Sequence, residues 1–270
     1  MHSYDQIIQD SHRYRWVKGD WTDDTDQMLC IAKAIIKDKN INPLSAAKEF
    51  YAWLNDRPMG IGRNTLKVLT FPGYVDNPEM AAKSIWDESG QSSAANGALM
   101  RTSILGLFSS NIEQNTENIC RLTHYDPRCV GSCVIVSLLI NRLVKNSTMT
   151  EDEIINLADK YDPRIKEYVL LAHNKDISSL KLDEKNAIGY TLKALAAGLW
   201  AYFNATSFED GLLQVINEGG DADTNGAIAG SILGARFGCS GIPNELIQGL
   251  VRRDYLAEII NEIITLNGES

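Results

Sequence analysis

Apolar positions along this chain recur at three- and four-residue steps far more often than at two. In "TLKALAAGLWAYF", Leu192, Leu195, Ala196, Leu199, Trp200 and Phe203 fall on one face. That is the i, i+3, i+4, i+7 spacing of a helix packed along one side. "CVGSCVIVSLLINRLV" (129–144) is apolar nearly all round and predicts a central, buried helix. Its β-branched residues would also suit a strand, but its length favours helix. "MTEDEIINLADKY" places Thr150 three residues before Glu153, a capping box, and "SFEDGLLQVI" opens in the same way with Ser207 and Asp210. Further helical patterns cover 24–38, 43–54, 76–86, 96–109, 161–173, 223–237 and 243–264. No alternating run is bounded by Asn-Gly or Asp-Gly turns, so strand signals are scarce. Connections are short, and no Pro- or Ser-rich stretch divides the chain. The pattern predicts an all-α fold, with residues 1–270 as one compact domain.

Composition narrows the possible partners. The chain has 44% hydrophobic and 23% charged residues, ordinary for a globular protein, and a net charge of −9. Phosphate backbones are held by clustered Lys and Arg, so non-specific nucleic-acid binding is not expected. The five cysteines (Cys30, Cys120, Cys129, Cys133 and Cys239) are scattered and lack a zinc-like spacing, which predicts reduced, buried thiols. "MHSYDQIIQDSHRYRW" has no apolar signal-peptide core, and no stretch approaches the roughly 20 apolar residues of a membrane span. A cytoplasmic protein with no membrane partner is the expectation.

Two acidic stretches do not fit a purely structural reading. "DWTDDTDQ" (20–27) places Asp23, Asp24 and Asp26 within four residues at the start of a helix. One or two acids there complement the helix dipole, and Asp and Thr are good N-caps. The surplus is the anomaly. "GGDADTNG" (219–226) repeats the arrangement, with Asp221, Asp223 and Thr224 opening a second helix behind two glycines that permit a sharp turn. Carboxylates with threonine hydroxyls are the hard oxygen donors preferred by Mg²⁺ and Mn²⁺. If the two helix starts meet, their mutual repulsion calls for cations, and a two-metal site is the natural solution.

Weaker signals lie between these clusters. "SSAANGALMRTSILG" sets Asn96 and Gly97 before an apolar run, a loop able to offer backbone N–H groups to an anion or a ribose hydroxyl. "THYDPRC" contains His124, and a lone histidine is more often structural than catalytic. "MGIGRNT" lacks the preceding strand and third glycine of a dinucleotide-binding loop, so that reading is rejected. Gly226, Gly230 and Gly234 recur every fourth residue, which predicts close helix packing.

In order along the chain, "GDWTDDTDQMLCIAKAI", "MGIGRNT", "SSAANGALMRTSILG", "THYDPRC" and "SFEDGLLQVINEGGDADTNGAIAGSILGARFG" resemble the ADP-ribosylglycohydrolase family. The resemblance runs from about residue 19 to 265. It implies an orthogonal multi-helix bundle around a central cleft with two Mg²⁺ or Mn²⁺ ions. It also implies release of ADP-ribose from a modified protein side chain, arginine-linked by preference, by attack of water at C1″ of the distal ribose. Thr22, Asp23, Asp24, Asp221, Asp223 and Thr224 match the family's metal ligands, with Asp24 or Asp223 to orient or deprotonate the water. Asn96, Gly97 and Met100 match its ribose and phosphate loop, His124 a pocket-lining histidine, and Gly219 and Gly220 the turn that places the second acidic pair. The implied partner is an ADP-ribosylated protein or ADP-ribose itself.

The chain departs from the family in one respect. Members usually open with a "GDALG"-like helix followed by a glutamate often placed in the active site, and residues 1–19 do not resemble it. Glu88, Asp87 and Asp26 are candidate substitutes. The departure keeps open a non-catalytic ADP-ribose-binding or structural relative. Another two-metal hydrolase, such as a phosphoesterase, is the third reading.

Overall fold

The computed structural model describes residues 16–268. The N-terminal stretch considered for a signal peptide lies, apart from Trp16, outside the described residues. Among the described residues there are thirteen α-helices, in chain order: α1 Asp23–Asp38, α2 Pro43–Asn55, α3 Arg63–Leu69, α4 Pro78–Glu88, α5 Ile112–Arg121, α6 Pro127–Val144, α7 Glu151–Ala158, α8 Arg164–Leu171, α9 Thr191–Asn204, α10 Phe208–Asn217, α11 Ala222–Phe237, α12 Asn244–Gln248 and α13 Arg253–Gly268. A nine-residue 3₁₀ helix, Leu99–Leu107, stands between α4 and α5. Among the described residues there is no β-strand, only an isolated antiparallel bridge between Ala95 and Tyr190.

The all-α expectation holds, and so do its local signals. Thr150 and Glu153 form the capping box at α7, and the Ser207 hydroxyl accepts from the Asp210 N–H at α10. Helix α6 starts with Pro127 behind the N-cap Asp126, whose carboxylate accepts from the Arg128 N–H. Proline suits this position because its missing N–H would have no intrahelical acceptor. Helix α6 is long and apolar enough to cross a membrane by length and composition, but 78% of it is buried inside the protein, as a core helix is. Cys30, Cys120, Cys129 and Cys133 are free and buried; Cys239 is exposed, contrary to the expectation of burial.

Two apolar clusters form the core. The larger gathers α6, α9 and α11 around Ile135, Leu139, Trp200, Ile228 and Ile232. The smaller gathers α1, α2 and α3 around Ile31, Ile35, Phe50 and Leu69. The 3₁₀ helix lies between them, with Leu99 in the larger and Ile104 and Leu105 in the smaller. Its approach to α6 requires glycine: a Cβ on Gly106 would lie 2.5 Å from the Ser137 carbonyl oxygen. Asn141 of α6 donates to the Gly106 and Phe108 carbonyls at 2.9 and 2.8 Å, satisfying acceptors that the helix end leaves free.

Three expectations are corrected. Residues 96–109 form a 3₁₀ helix from Leu99 rather than an α-helix. The single helix expected over 243–264 is broken between α12 and α13, where the Val251 N–H donates to the Gly19 carbonyl. Close packing at the glycines of α11 holds only at its start. A Cβ on Gly226 would meet Ile216 of α10 at 3.0 Å, whereas Gly234 has nothing within 4 Å. The contact that needs a missing side chain is on α9, where a Cβ on Gly198 would sit 2.7 Å from Ile228. Helices α3 and α5 have no counterpart among the predicted elements.

Candidate active site

The starts of α1 and α11 open onto one cleft of about 260 Å³. Asp23, Asp24, Asp221, Asp223 and Thr224 line it, together with Asn96, Gly97, Met100 and His124. Thr22 sits beside it as the N-cap of α1. Thus the two acidic stretches, some 200 residues apart in sequence, share one wall-to-wall space with the Asn96–Gly97 loop.

Neither N-cap residue uses its side chain to cap the backbone N–H groups of its helix. Thr22 makes no side-chain capping bond; its hydroxyl donates to Asp24 Oδ2 at 2.7 Å. Asp221 makes none either, and its Oδ2 accepts from Asn96 Nδ2 at 2.8 Å. Ordinary capping therefore does not account for these side chains. The glycines before Asp221 explain its placement. Gly219 and Gly220 have φ of +73° and +66°, and a Cβ on Gly220 would fall 2.1 Å from the Leu182 carbonyl oxygen. They do not line the cleft. Their place is in the turn that leads into Asp221.

The electrostatics are those of carboxylates crowded out of water. Burial, and then the charge of Asp223, push the Asp24 carboxyl up to about 7, and the Asp24 Oδ1 atom is buried with no hydrogen-bond partner. Asp23 is raised by burial and by Asp223. Asp221 rises to about 6 through burial, despite the opposing Asn96 hydrogen bond. Each shift says that the site disfavours negative charge that no cation offsets. The donor set of carboxylates and the Thr22 and Thr224 hydroxyls fits a hard divalent ion, and the unpartnered Asp24 oxygen offers a ligand atom. Among the described residues, however, no group of three or more His, Cys, Asp or Glu side chains is gathered closely enough to hold a metal as it stands.

His124 forms part of the opposite wall. Burial holds its pKa down at about 3, so the ring is neutral. Gly97 lets the loop lie against it, since a Cβ there would come within 3.1 Å of His124 Cε1 and 3.2 Å of Thr65 Oγ1. Met100 approaches Thr224, whose hydroxyl lies 4.0 Å from Met100 Sδ. Of the candidate substitute acids, Asp26 points away from the cleft, accepting from the indole N–H groups of Trp21 at 2.7 Å and Trp53 at 3.1 Å. Asp87 is exposed and paired with Lys83. Glu88 lines a neighbouring cavity that shares Asn96 and Asp221 with the cleft.

A model of the ADP-ribosylglycohydrolase family matches residues 1–270. The chain belongs to this family. It is 29% identical over 259 residues to an uncharacterised protein of Archaeoglobus fulgidus, covering 92% of this chain and 81% of that one. It is 26% identical over 270 residues to the ADP-ribosylarginine hydrolase Tri1 of Serratia proteamaculans, covering 95% and 70%. It is 24% identical over 239 residues to the ADP-ribosyl-[dinitrogen reductase] glycohydrolase of Rhodospirillum rubrum, covering 86% and 74%. A solved ADP-ribosylglycohydrolase-related protein complex shares the fold, with a TM-score of 0.75 at 23% identity over 94% of this chain and 84% of that one.

The structure adds residues to the cleft that sequence reasoning did not single out. Gly62, Arg63, Asn64 and Thr65, from the "MGIGRNT" stretch rejected only as a dinucleotide-binding loop, line it at the start of α3. Their signal was there in the family resemblance of that stretch. Gln27, Arg101 and Thr123, buried behind the walls, lie within the quoted stretches but carry no spacing that singles them out.

Proposed function

We propose that this protein is a hydrolase that releases ADP-ribose from ADP-ribosylated protein side chains, with arginine-linked ADP-ribose as its first candidate substrate. The observation that carries this reading is the convergence of both acidic helix starts, the Asn96–Gly97 loop and His124 on one cleft. The name borne by the Serratia relative, an ADP-ribosylarginine hydrolase, supports arginine as the attachment residue, and that of the Rhodospirillum relative supports a modified protein as the substrate.

Breaking the bond at C1″ develops positive charge on the ribose in an oxocarbenium-like transition state. Carboxylates fixed beside C1″ stabilise that charge without having to reorganise during the reaction. Asp24 or Asp223 orients a water and takes its proton as the oxygen bonds to C1″. The leaving side chain departs with the bonding electron pair and regains a proton, giving free ADP-ribose and the unmodified residue. Asn96 and the adjoining Gly97 loop orient ribose, and Asn96 also steadies Asp221. Thr22, Asp23, Asp24, Asp221, Asp223 and Thr224 would hold two Mg²⁺ or Mn²⁺ ions. Such ions, when bound, hold a ribose diol and acidify water.

Incubation with Mg²⁺ or Mn²⁺ and ADP-ribosyl-arginine, ADP-ribosyl-serine and ADP-ribosylated DNA, with free ADP-ribose as the readout, tests the proposal. Release from the arginine conjugate is the expected result. Tight ADP-ribose binding without release from any of the three would replace the hydrolase with a binding protein.

A further inference from the structure

Behind the cleft runs a buried chain of hydrogen bonds that the proposed reaction does not itself require. Arg101 is fully buried in the 3₁₀ helix. It makes no ion pair among the described residues; its guanidinium lies 4.3 Å from the centre of the Phe50 ring. One guanidinium nitrogen donates to Gln27 Oε1 at 2.5 Å, and Gln27 in turn leans toward Asp23 Oδ2 at 3.4 Å. The other donates to Thr123 Oγ1 at 2.6 Å, and that oxygen lies 2.7 Å from His124 Nδ1. A single buried cation thus braces both walls of the cleft.

Proton bookkeeping along the second arm fixes its direction. Arginine can only donate. Thr123 Oγ1 therefore accepts from Arg101, and its own proton needs an acceptor. His124 Nδ1 is the acceptor in reach. If Nδ1 carried the proton instead, the Thr123 oxygen would accept twice and its hydroxyl hydrogen would be buried unpaired, a costly arrangement. With Nδ1 accepting, the ring proton resides on Nε2. That nitrogen is buried and has no partner, and it belongs to a residue lining the cleft.

We infer that Thr123, oriented by Arg101, locks His124 as the Nε2–H tautomer, so that the cleft wall presents one fixed hydrogen-bond donor. The inference rests on the proposed function for its ligand, an oxygen acceptor of the ADP-ribosyl group. It assigns Arg101 and Thr123 as positioning residues. It also limits what His124 does: an Nε2–H nitrogen has no lone pair to coordinate a cation or to accept a proton from water. Proton abstraction thus falls to the carboxylates.

Long-range ¹H–¹⁵N correlation spectra of the histidine rings at pH 7 test the tautomer directly. The chain has four histidines, and His124→Gln identifies the His124 signals by their loss. Protonated Nε2 with unprotonated Nδ1 is the expected signature. An Nδ1–H signature, or averaging between tautomers, overturns the assignment. Thr123→Ser should retain the signature and Thr123→Val should introduce the second tautomer; an unchanged valine spectrum overturns the role of Thr123. If the valine variant does not fold, the wild-type and serine spectra still decide. Titration with ADP-ribose reads the donor: His124→Gln, which keeps an N–H, should bind roughly threefold to tenfold more tightly than His124→Leu. Equal loss in both overturns the donor role. The spectra need no substrate, so a protein that shows the Nε2–H signature yet releases no ADP-ribose overturns the proposed hydrolase and leaves the tautomer assignment standing.

Discussion

Replacing Asp24 by asparagine isolates the electrostatic cost of the acidic cleft. The Asp24 carboxyl is pushed from the ordinary aspartate value of 3.8 to about 7, first by burial and then by Asp223. At about 1.4 kcal/mol for each tenfold change in proton affinity, keeping it ionised costs ~4 kcal/mol in the cation-free protein. Its folded-state value lies above its unfolded value, so the folded protein binds the proton more tightly. The stabilising contribution is then complete below about pH 4 and is lost as pH rises through about 7. Asparagine cannot ionise, yet keeps an oxygen to accept from Thr22. In chelator, the melting temperature of Asp24→Asn minus that of wild type should therefore increase between pH 4.5 and pH 8. The full effect is roughly 8–16 °C, since about 1 kcal/mol moves a chain of this size by 2–4 °C. Several degrees is the expected result, because water entering beside the ionised carboxylate offsets part of the cost. Differential scanning calorimetry in chelator across that range measures the difference. A gap that stays constant with pH would refute the claim that Asp24 is a buried, repelled carboxylate.

Other consequences can be checked with purified protein. At pH 8, Mg²⁺ or Mn²⁺ at a hundredfold its Kd should stabilise the wild type by about 2.7 kcal/mol per site. Asp221→Ala/Asp223→Ala should show no such gain by calorimetry while its far-ultraviolet circular dichroism stays helical. Gly97→Ala, which forces a methyl against His124 and Thr65, should weaken ADP-ribose binding in a titration with no loss of helicity; unchanged affinity would remove Gly97 from the site. Arg101→Met leaves Gln27 and Thr123 without their donor and should cost about 2–4 kcal/mol in urea unfolding, whereas a cost below about 0.5 kcal/mol would contradict a bracing role.

The parts of this fold that could be read from sequence are those in which one face is apolar and the other wet. Helices α7 and α10 announce themselves by their caps, and α6 by the length of its nearly unbroken apolar run. The Leu99–Leu107 segment was misread because it is buried on more than one side, so its apolar spacing does not separate a 3.0-residue repeat from a 3.6-residue one. Helix α5 carries an i, i+4, i+7, i+8 stripe of Ile112, Thr116, Ile119 and Cys120, but only two of those are large apolar residues. The break after α12 had a marker in Gly249; the bond from Val251 to Gly19 that accompanies it joins residues more than 200 positions apart. The acidic clusters were legible because charge concentrated at two helix starts exceeds what capping can use. The Gln27–Arg101–Thr123–His124 chain was not, since its partners are 74 and 22 residues apart and lie in three separate stretches whose spacing does not link them. Its one trace is an arginine inside an otherwise apolar run.

Release of ADP-ribose from an ADP-ribosylarginine protein, compared between the wild type and Asp221→Ala/Asp223→Ala in Mg²⁺ or Mn²⁺ and in chelator, is the most direct test that the paired acidic helix starts form a hydrolytic centre. Release by the wild type that is lost both in chelator and in the double variant is the predicted result. Equal release by the folded double variant would contradict it.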